Sequence, residues 1–167
     1  MKRIFLLPLL AVSLFLPQIQ AIGLKDYKGD ATPSLSLSDL SGKMHTLEDY
    51  AGKVVMVQFW ATYCPPCRKE MPSMNRLMQK LGEDRFKILA INMGETKDQV
   101  QAFVDEVKPD FSILLDSRGE SIQAWKVYAA TATFIVDPAG KIRYTLFGGI
   151  EWDSEEIVKK LDSLALK

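Results

Sequence analysis

Val54-Val55-Met56-Val57-Gln58-Phe59-Trp60-Ala61-Thr62-Tyr63-Cys64-Pro65-Pro66-Cys67 decides how this chain is read. Seven residues, apolar on both alternating faces except at Gln58, form the pattern of a central strand covered on two sides. The two prolines that follow suit the first turn of a helix, where a missing amide hydrogen costs nothing. Met71, Met74, Leu77, Met78 and Leu81 continue at helical spacing, and Pro72 inside that run removes the bond to the Arg68 carbonyl and predicts a kink. The only two cysteines of the chain, Cys64 and Cys67, therefore fall where strand becomes helix.

Two thiols at this spacing close a small ring that thiol exchange can reopen. As a structural staple the ring does little, because so short a loop removes little entropy from the unfolded chain. Metal binding is disfavoured, since His45 is the sole histidine and lies far along the chain, leaving a tetrahedral site without its remaining ligands. His45 is instead expected in a surface or half-buried polar role. No metal and no other cofactor is expected.

Outward from this segment, a rhythm of strands and helices emerges. Ser34 to Ser38 alternates polar and apolar, and a turn at Leu40-Ser41-Gly42-Lys43 leads to Met44-His45-Thr46, predicting a short hairpin at the front. Strands are predicted at Phe86 to Asn92, Ser112 to Leu115, Thr133 to Asp137 and Ile142 to Phe147, the last two joined by the turn Pro138-Ala139-Gly140-Lys141. Helices are predicted after Gly94 to Asp98, carrying Val100, Phe103, Val104 and Val107, then at Glu120 to Trp125 and at Ser154 to Leu164. This alternation implies an α/β fold with helices on both faces of a mixed sheet that ends in an antiparallel hairpin.

At 167 residues the chain has room for one core. Lys and Arg balance Asp and Glu at 21 each, so no basic face is offered to nucleic acid. Lys2-Arg3 followed by the apolar run Ile4 to Leu16 and a polar step toward Ala21 reads as an export signal, residues 1–21, with residues 22–167 as a single domain. The apolar run is shorter than the roughly 20 residues that span a bilayer, which favours a cleavable signal over a retained anchor. Ile19 is bulkier than the small residue usual three positions before such a cut, so export is better supported than cleavage. Without Lys2 and Arg3 the chain would hold 19 basic residues against 21 acidic ones. Export would place the cysteine pair in an oxidising, extracytoplasmic or periplasmic setting.

A Cys64 sulfur at the head of a helix faces free amides and the positive end of the dipole, which favours the thiolate. Cys64 is thus expected to attack and Cys67, one turn in and more buried, to resolve. Arg68 and Lys69 read as solvated charges. Glu70 lies on the face of Cys67 and is either the group that takes its proton or a solvent-facing glutamate; spacing does not separate the two. Trp60 and Tyr63 flank the pair and are expected to line an apolar platform, while Trp125 and Trp152 are expected to pack on helices. Of the seven methionines, Met71, Met74 and Met78 read as a core stripe on one helix and Met1 is the start.

The run Phe59-Trp60-Ala61-Thr62-Tyr63-Cys64-Pro65-Pro66-Cys67-Arg68-Lys69-Glu70-Met71-Pro72 resembles the active-site segment of the TlpA/ResA family of exported thiol-disulfide oxidoreductases. Leu35 to Lys53, Ile91 to Thr96, Leu114-Leu115-Asp116 and Thr133 to Lys141 fall in the order expected of that family. The resemblance implies a thioredoxin fold with an N-terminal β-hairpin extension and a strand-helix insertion around Lys97 to Leu115. It also implies proton transfer by Glu70, and substrate contacts from Trp60, Tyr63, Pro65, Pro66, Ala130 and Thr131. The implied task is to keep exported cysteine-containing proteins reduced, apocytochrome c among them, with electrons from a membrane thiol reductase.

Two departures stand out. Gln58 occupies the place of thioredoxin's buried aspartate and takes up no proton at neutral pH. Thr131 occupies the place of the fold's cis-proline; a cis bond before a non-proline residue costs ~3 kcal/mol, leaving a trans loop or a strained one as the expectation. Copper-delivery relatives of the fold use a longer CxxxC and a distal histidine, which this chain lacks. A thiol peroxidase wants threonine three residues before the reactive cysteine, where Ala61 stands. The rival from another class is a non-catalytic binding module that holds a protein or a metal ion at the Thr131 loop.

Overall fold

A computed structural model describes residues 23–166. The expected signal, residues 1–21, lies outside the described residues. Eight strands form one sheet: β1 (Lys25–Asp26), β2 (Ser36–Asp39), β3 (Met44–Thr46), β4 (Val54–Trp60), β5 (Phe86–Asn92), β6 (Ser112–Leu115), β7 (Ala132–Val136) and β8 (Ile142–Phe147). Their order across the sheet is β1-β8-β7-β4-β5-β6-β2-β3. The helices are α1 (Pro65–Leu81), α2 (Lys97–Val107), α3 (Glu120–Ala124) and α4 (Glu155–Ala165). This is a mixed α/β thioredoxin-like fold, with the hairpin β2–β3 added at one edge and α2 with β6 as the insertion.

The central strand β4 is buried along its whole length and runs parallel to β5 and antiparallel to β7. Its alternating side chains serve two cores. Val54, Met56 and Trp60 face Met71, Met74 and Leu77 of α1, Val100 and Phe103 of α2, and Leu161 of α4. Val55, Val57 and Phe59 face the opposite side, with Trp125 at the end of α3, Phe134 of β7 and Leu35 ahead of β2. Two apolar layers explain why the strand carries no polar residue except Gln58.

Local chemistry sets the boundaries near the site. Cys64 is the N-cap of α1, with Pro65 and Pro66 in its first turn, and the helix runs through Pro72 to Leu81. The start of α2 is fixed by a capping box, in which Thr96 N donates to Gln99 Oε1 at 3.0 Å and Gln99 N donates back to Thr96 Oγ1 at 3.4 Å. In the β7–β8 hairpin, Asp137 Oδ1 accepts from the amides of Ala139 and Lys141, and Gly140 takes the left-handed φ of 78° that the turn requires.

Candidate active site

β4 ends at Trp60, and four residues on Cys64 caps α1, which places the cysteines at the carboxyl end of the central strand. Cys64 and Cys67 are joined by a disulfide. Cys64 Sγ accepts from Cys67 N at 3.3 Å, the contact of a helix N-cap. Cys67 is wholly buried, whereas Cys64 keeps 7% of its surface open to solvent. Pro65 and Pro66 are exposed, and Tyr63 is 74% exposed beside them.

β7 lies next to β4 in antiparallel register, with Ala132 opposite Phe59. The residues just before β7 therefore lie alongside the turn that carries Cys64. The Ala130–Thr131 peptide bond is cis, which corrects the trans alternative. Thr131 is buried, Ala130 is half-buried, and the Thr131 carbonyl accepts from Gly148 N at 3.0 Å at the end of β8.

Glu70 is not solvent-facing. It is 2% exposed, and its carboxylate accepts from Gln58 Nε2 at 2.5 Å and from Trp152 Nε1 at 2.8 Å. Burial pushes its carboxyl up to about 7, against the opposing pull of hydrogen bonds from Trp152, the Ile150 amide and Gln58. A carboxyl at that value exchanges a proton near neutral pH, the property required of an acid-base group there. Gln58 suits both states: its Nε2 donates to the carboxylate, and a flipped amide would accept from the acid through Oε1. A cleft of about 320 Å³ lined by Pro66, Lys69, Gly149, Ile150 and Glu151 opens onto Glu70. A Cβ on Gly149 would stand 3.5 Å from Glu70 Oε2 and 3.4 Å from the Pro66 carbonyl oxygen.

One expected member of the site is elsewhere. Trp60 is completely buried, its ring 4.7 Å from that of Phe103 in α2, so it forms no surface platform beside Cys64. The reason is parity: Trp60 shares the face of Met56, and α2 covers that face. Arg68 is the solvated charge expected, its side chain 42% exposed, although its guanidinium also lies 4.5 Å above the Phe103 ring and pairs with Glu106 at 2.5 Å. Trp152, expected only to pack, does so and also binds Glu70. No local pattern marks this role, because the bond joins residues 82 positions apart in sequence.

His45 is buried, between Tyr50 and Asp39, with Nε2 2.9 Å from Asp39 Oδ2. It belongs to the hairpin and not to the dithiol. Among the described residues no group of three or more His, Cys, Asp or Glu side chains is placed to hold a metal ion. No described helix is long and apolar enough to cross a membrane.

A thioredoxin-like sheet with a CxxC disulfide where the central strand meets a helix defines a thiol-disulfide exchange protein. Comparison with known proteins narrows the class. Residues 28–145 match the model of the AhpC/TSA family. The chain is 37% identical over 136 residues to thiol-disulfide oxidoreductase ResA of Geobacillus thermodenitrificans, spanning 81% of this chain and 77% of that protein. It is also 37% identical over 138 residues to thioredoxin-like protein YneN of Bacillus subtilis, spanning 81% and 79%. A solved structure from Chlorobium tepidum described as a thiol:disulfide interchange protein, DsbE, superposes with a TM-score of 0.74 at 28% identity, covering 87% of this chain and all of that one. The chain belongs to the AhpC/TSA family, in its ResA-like branch, and is a thiol-disulfide oxidoreductase that carries a Cys64–Cys67 disulfide.

Proposed function

We propose that this protein is an exported reductant that opens disulfides in extracytoplasmic cysteine-containing proteins, apocytochrome c among them. In the reduced protein the Cys64 thiolate attacks one sulfur of the substrate disulfide. A bond forms between Cys64 and that sulfur, and the other substrate sulfur leaves as a thiolate. Cys67 gives its proton to the Glu70 carboxylate and attacks Cys64 Sγ, releasing the second substrate sulfur. The products are the Cys64–Cys67 disulfide and a substrate dithiol, whose sulfurs take up two protons, one of them returned by Glu70 through its cleft. Two electrons pass to the substrate, and a membrane dithiol reductase returns two to the pair.

The observation that carries this reading is the combination of a sulfur at the N-cap of α1 with a buried carboxyl at about 7 one turn beyond Cys67. Exposed Tyr63, Pro65 and Pro66, with Ala130 and Thr131 across from them, would receive the substrate backbone. Export rests on the basic and apolar character of residues 2–16.

Cys67→Ala in the full chain tests the assignment by arresting exchange at the mixed disulfide. Partners captured in cells by Cys67→Ala and lost in Cys64→Ala support it and identify the substrates. No captured partner, together with no reduction of insulin disulfides, would favour a binding module. Direction is settled by the reduction potential of the pair, because a value well above the roughly −270 mV of thioredoxin would overturn the reductant reading.

A further inference from the structure

The loop ahead of Cys64 is held from outside, by the connection between β5 and α2. Thr62 N donates to Glu95 Oε2 at 2.7 Å, and Thr62 Oγ1 donates to Glu95 Oε1 at 2.5 Å. Glu95 Oε2 also accepts from Asn92 Nδ2 at 2.7 Å, and Glu95 N donates to Asn92 Oδ1 at 3.1 Å. Asn92 is fully buried at the end of β5, opposite Trp60, and Met93 N donates to the Trp60 carbonyl at 2.9 Å. A two-oxygen carboxylate thus grips both polar groups of Thr62 while itself hydrogen-bonded to buried Asn92. All three donors are neutral, so what the contact supplies is geometry more than charge pairing. α2 grips the other side of the dithiol, with Phe103 against Trp60 and Glu106 on Arg68.

We propose that Glu95 is a positioning residue for the dithiol: by clamping Thr62 it keeps Cys64 in the N-cap of α1, and so sets the acidity of Cys64 and the redox balance of the pair. The inference rests on Cys64 as the attacking thiol. The physical argument runs through the amides of the first helical turn. A Cys64 thiolate is stabilised only while its sulfur faces them, and a single residue, Tyr63, separates Thr62 from Cys64. Without the clamp the Thr62 amide and hydroxyl turn to water, the turn samples positions away from α1, and the thiolate loses its donors. The reduced form then loses stabilisation relative to the disulfide.

Sign separates positioning from simple charge. Glu95→Gln removes a negative charge near the pair, which by Coulomb's law alone would lower the Cys64 thiol pKa. Thr62→Val keeps the charge and removes one of the two grips. Positioning requires both variants to raise the pKa, whereas a charge effect lowers it in Glu95→Gln and leaves Thr62→Val unchanged.

The test uses the full chain, reduced, with the pH dependence of iodoacetamide labelling at Cys64 read by mass and the dithiol–disulfide equilibrium read against glutathione. We expect a higher labelling midpoint in both variants and an equilibrium moved about five- to tenfold toward the disulfide, the worth of a hydrogen bond or slightly more. The double variant should change no more than the stronger single one, and Thr62→Ser should behave as the parent. A lowered midpoint in Glu95→Gln overturns the proposal. So does a parental midpoint and equilibrium accompanied only by a lower unfolding midpoint. If label reaches Cys67 first, the attacking-thiol assignment fails instead, and the glutathione equilibrium, which does not depend on which sulfur attacks, still decides the clamp.

Discussion

Trp152 Nε1 donates to Glu70 Oε2 at 2.8 Å across 82 positions of sequence. The bond joins the connection between β8 and α4 to the helix that carries the cysteines. Ser73 doubles the link, its hydroxyl accepting from Trp152 N at 3.0 Å while donating to the Glu70 carbonyl at 2.7 Å. Burial destabilises the Glu70 carboxylate while hydrogen bonds from the Trp152 indole, the Ile150 amide and Gln58 favour it, so the carboxyl settles at about 7.

Stability should fall as pH rises through the interval that Glu70 governs. Its carboxyl goes from an ordinary 4.5 to about 7 on folding, so between those values the native chain binds more protons than the unfolded one. The favourable contribution is complete below pH 4.5 and lost by about pH 7, on the order of 3 kcal/mol at most. Glu70→Gln has no such proton to lose. Urea unfolding of the oxidised protein at pH 5 and pH 8 should show the variant gaining on the parent at the higher pH.

In exchange, Glu70→Gln should leave the first step intact and slow the second. General acid-base groups contribute about a hundredfold or more, so the mixed disulfide should build up when Cys67 can no longer pass on its proton. Rapid quenching with acid at pH 7, followed by mass measurement of the Cys64 adduct, reads this directly. An unchanged decay of the adduct would remove Glu70 from the mechanism.

Trp152→Phe keeps a ring in the core and withdraws one donor from the carboxylate. The Glu70 carboxyl should then rise further above 7, and the alkaline limb of the exchange rate should move with it. Stability should fall by about 1–3 kcal/mol at pH 8, where Glu70 is charged, and by less at pH 5, where it is protonated. Denaturation at the two pH values together with the pH profile of insulin reduction checks both.

The frame of this site was legible because short-range rules govern it. β4, β5, β6 and β8 have the limits that apolar pattern and turn residues predict, and α1 begins where two prolines and an N-cap side chain put it. β1 was not legible, since its two exposed residues carry no period and pair with β8 only through backbone. Nor was the side of the sheet on which Trp60 would meet α2. Glu95 and Trp152 join the site through contacts between elements distant in sequence, which no local pattern encodes. Glu70 lies between these cases: its spacing from Cys67 marked it, but only the assembled fold supplies the burial and the donors that set its proton affinity.

The two aromatic residues that flank the dithiol in sequence should separate cleanly in their effects. Trp60 fills the space between β4 and α2, so Trp60→Ala should cost about 3–5 kcal/mol in urea unfolding. Trp60→Phe should cost much less, because among the described residues the buried indole nitrogen of Trp60 has no partner, and the smaller ring removes an unsatisfied donor along with some volume. Tyr63 projects into solvent next to Cys64, so Tyr63→Ala should move stability by no more than about 0.5 kcal/mol. If Tyr63 contacts the substrate polypeptide, its loss should raise KM for a protein disulfide and leave the rate with a small disulfide such as oxidised glutathione unchanged, since a small molecule does not reach across the exposed ring. Equal losses with both substrates would place the effect of Tyr63 on Cys64 itself and not on docking.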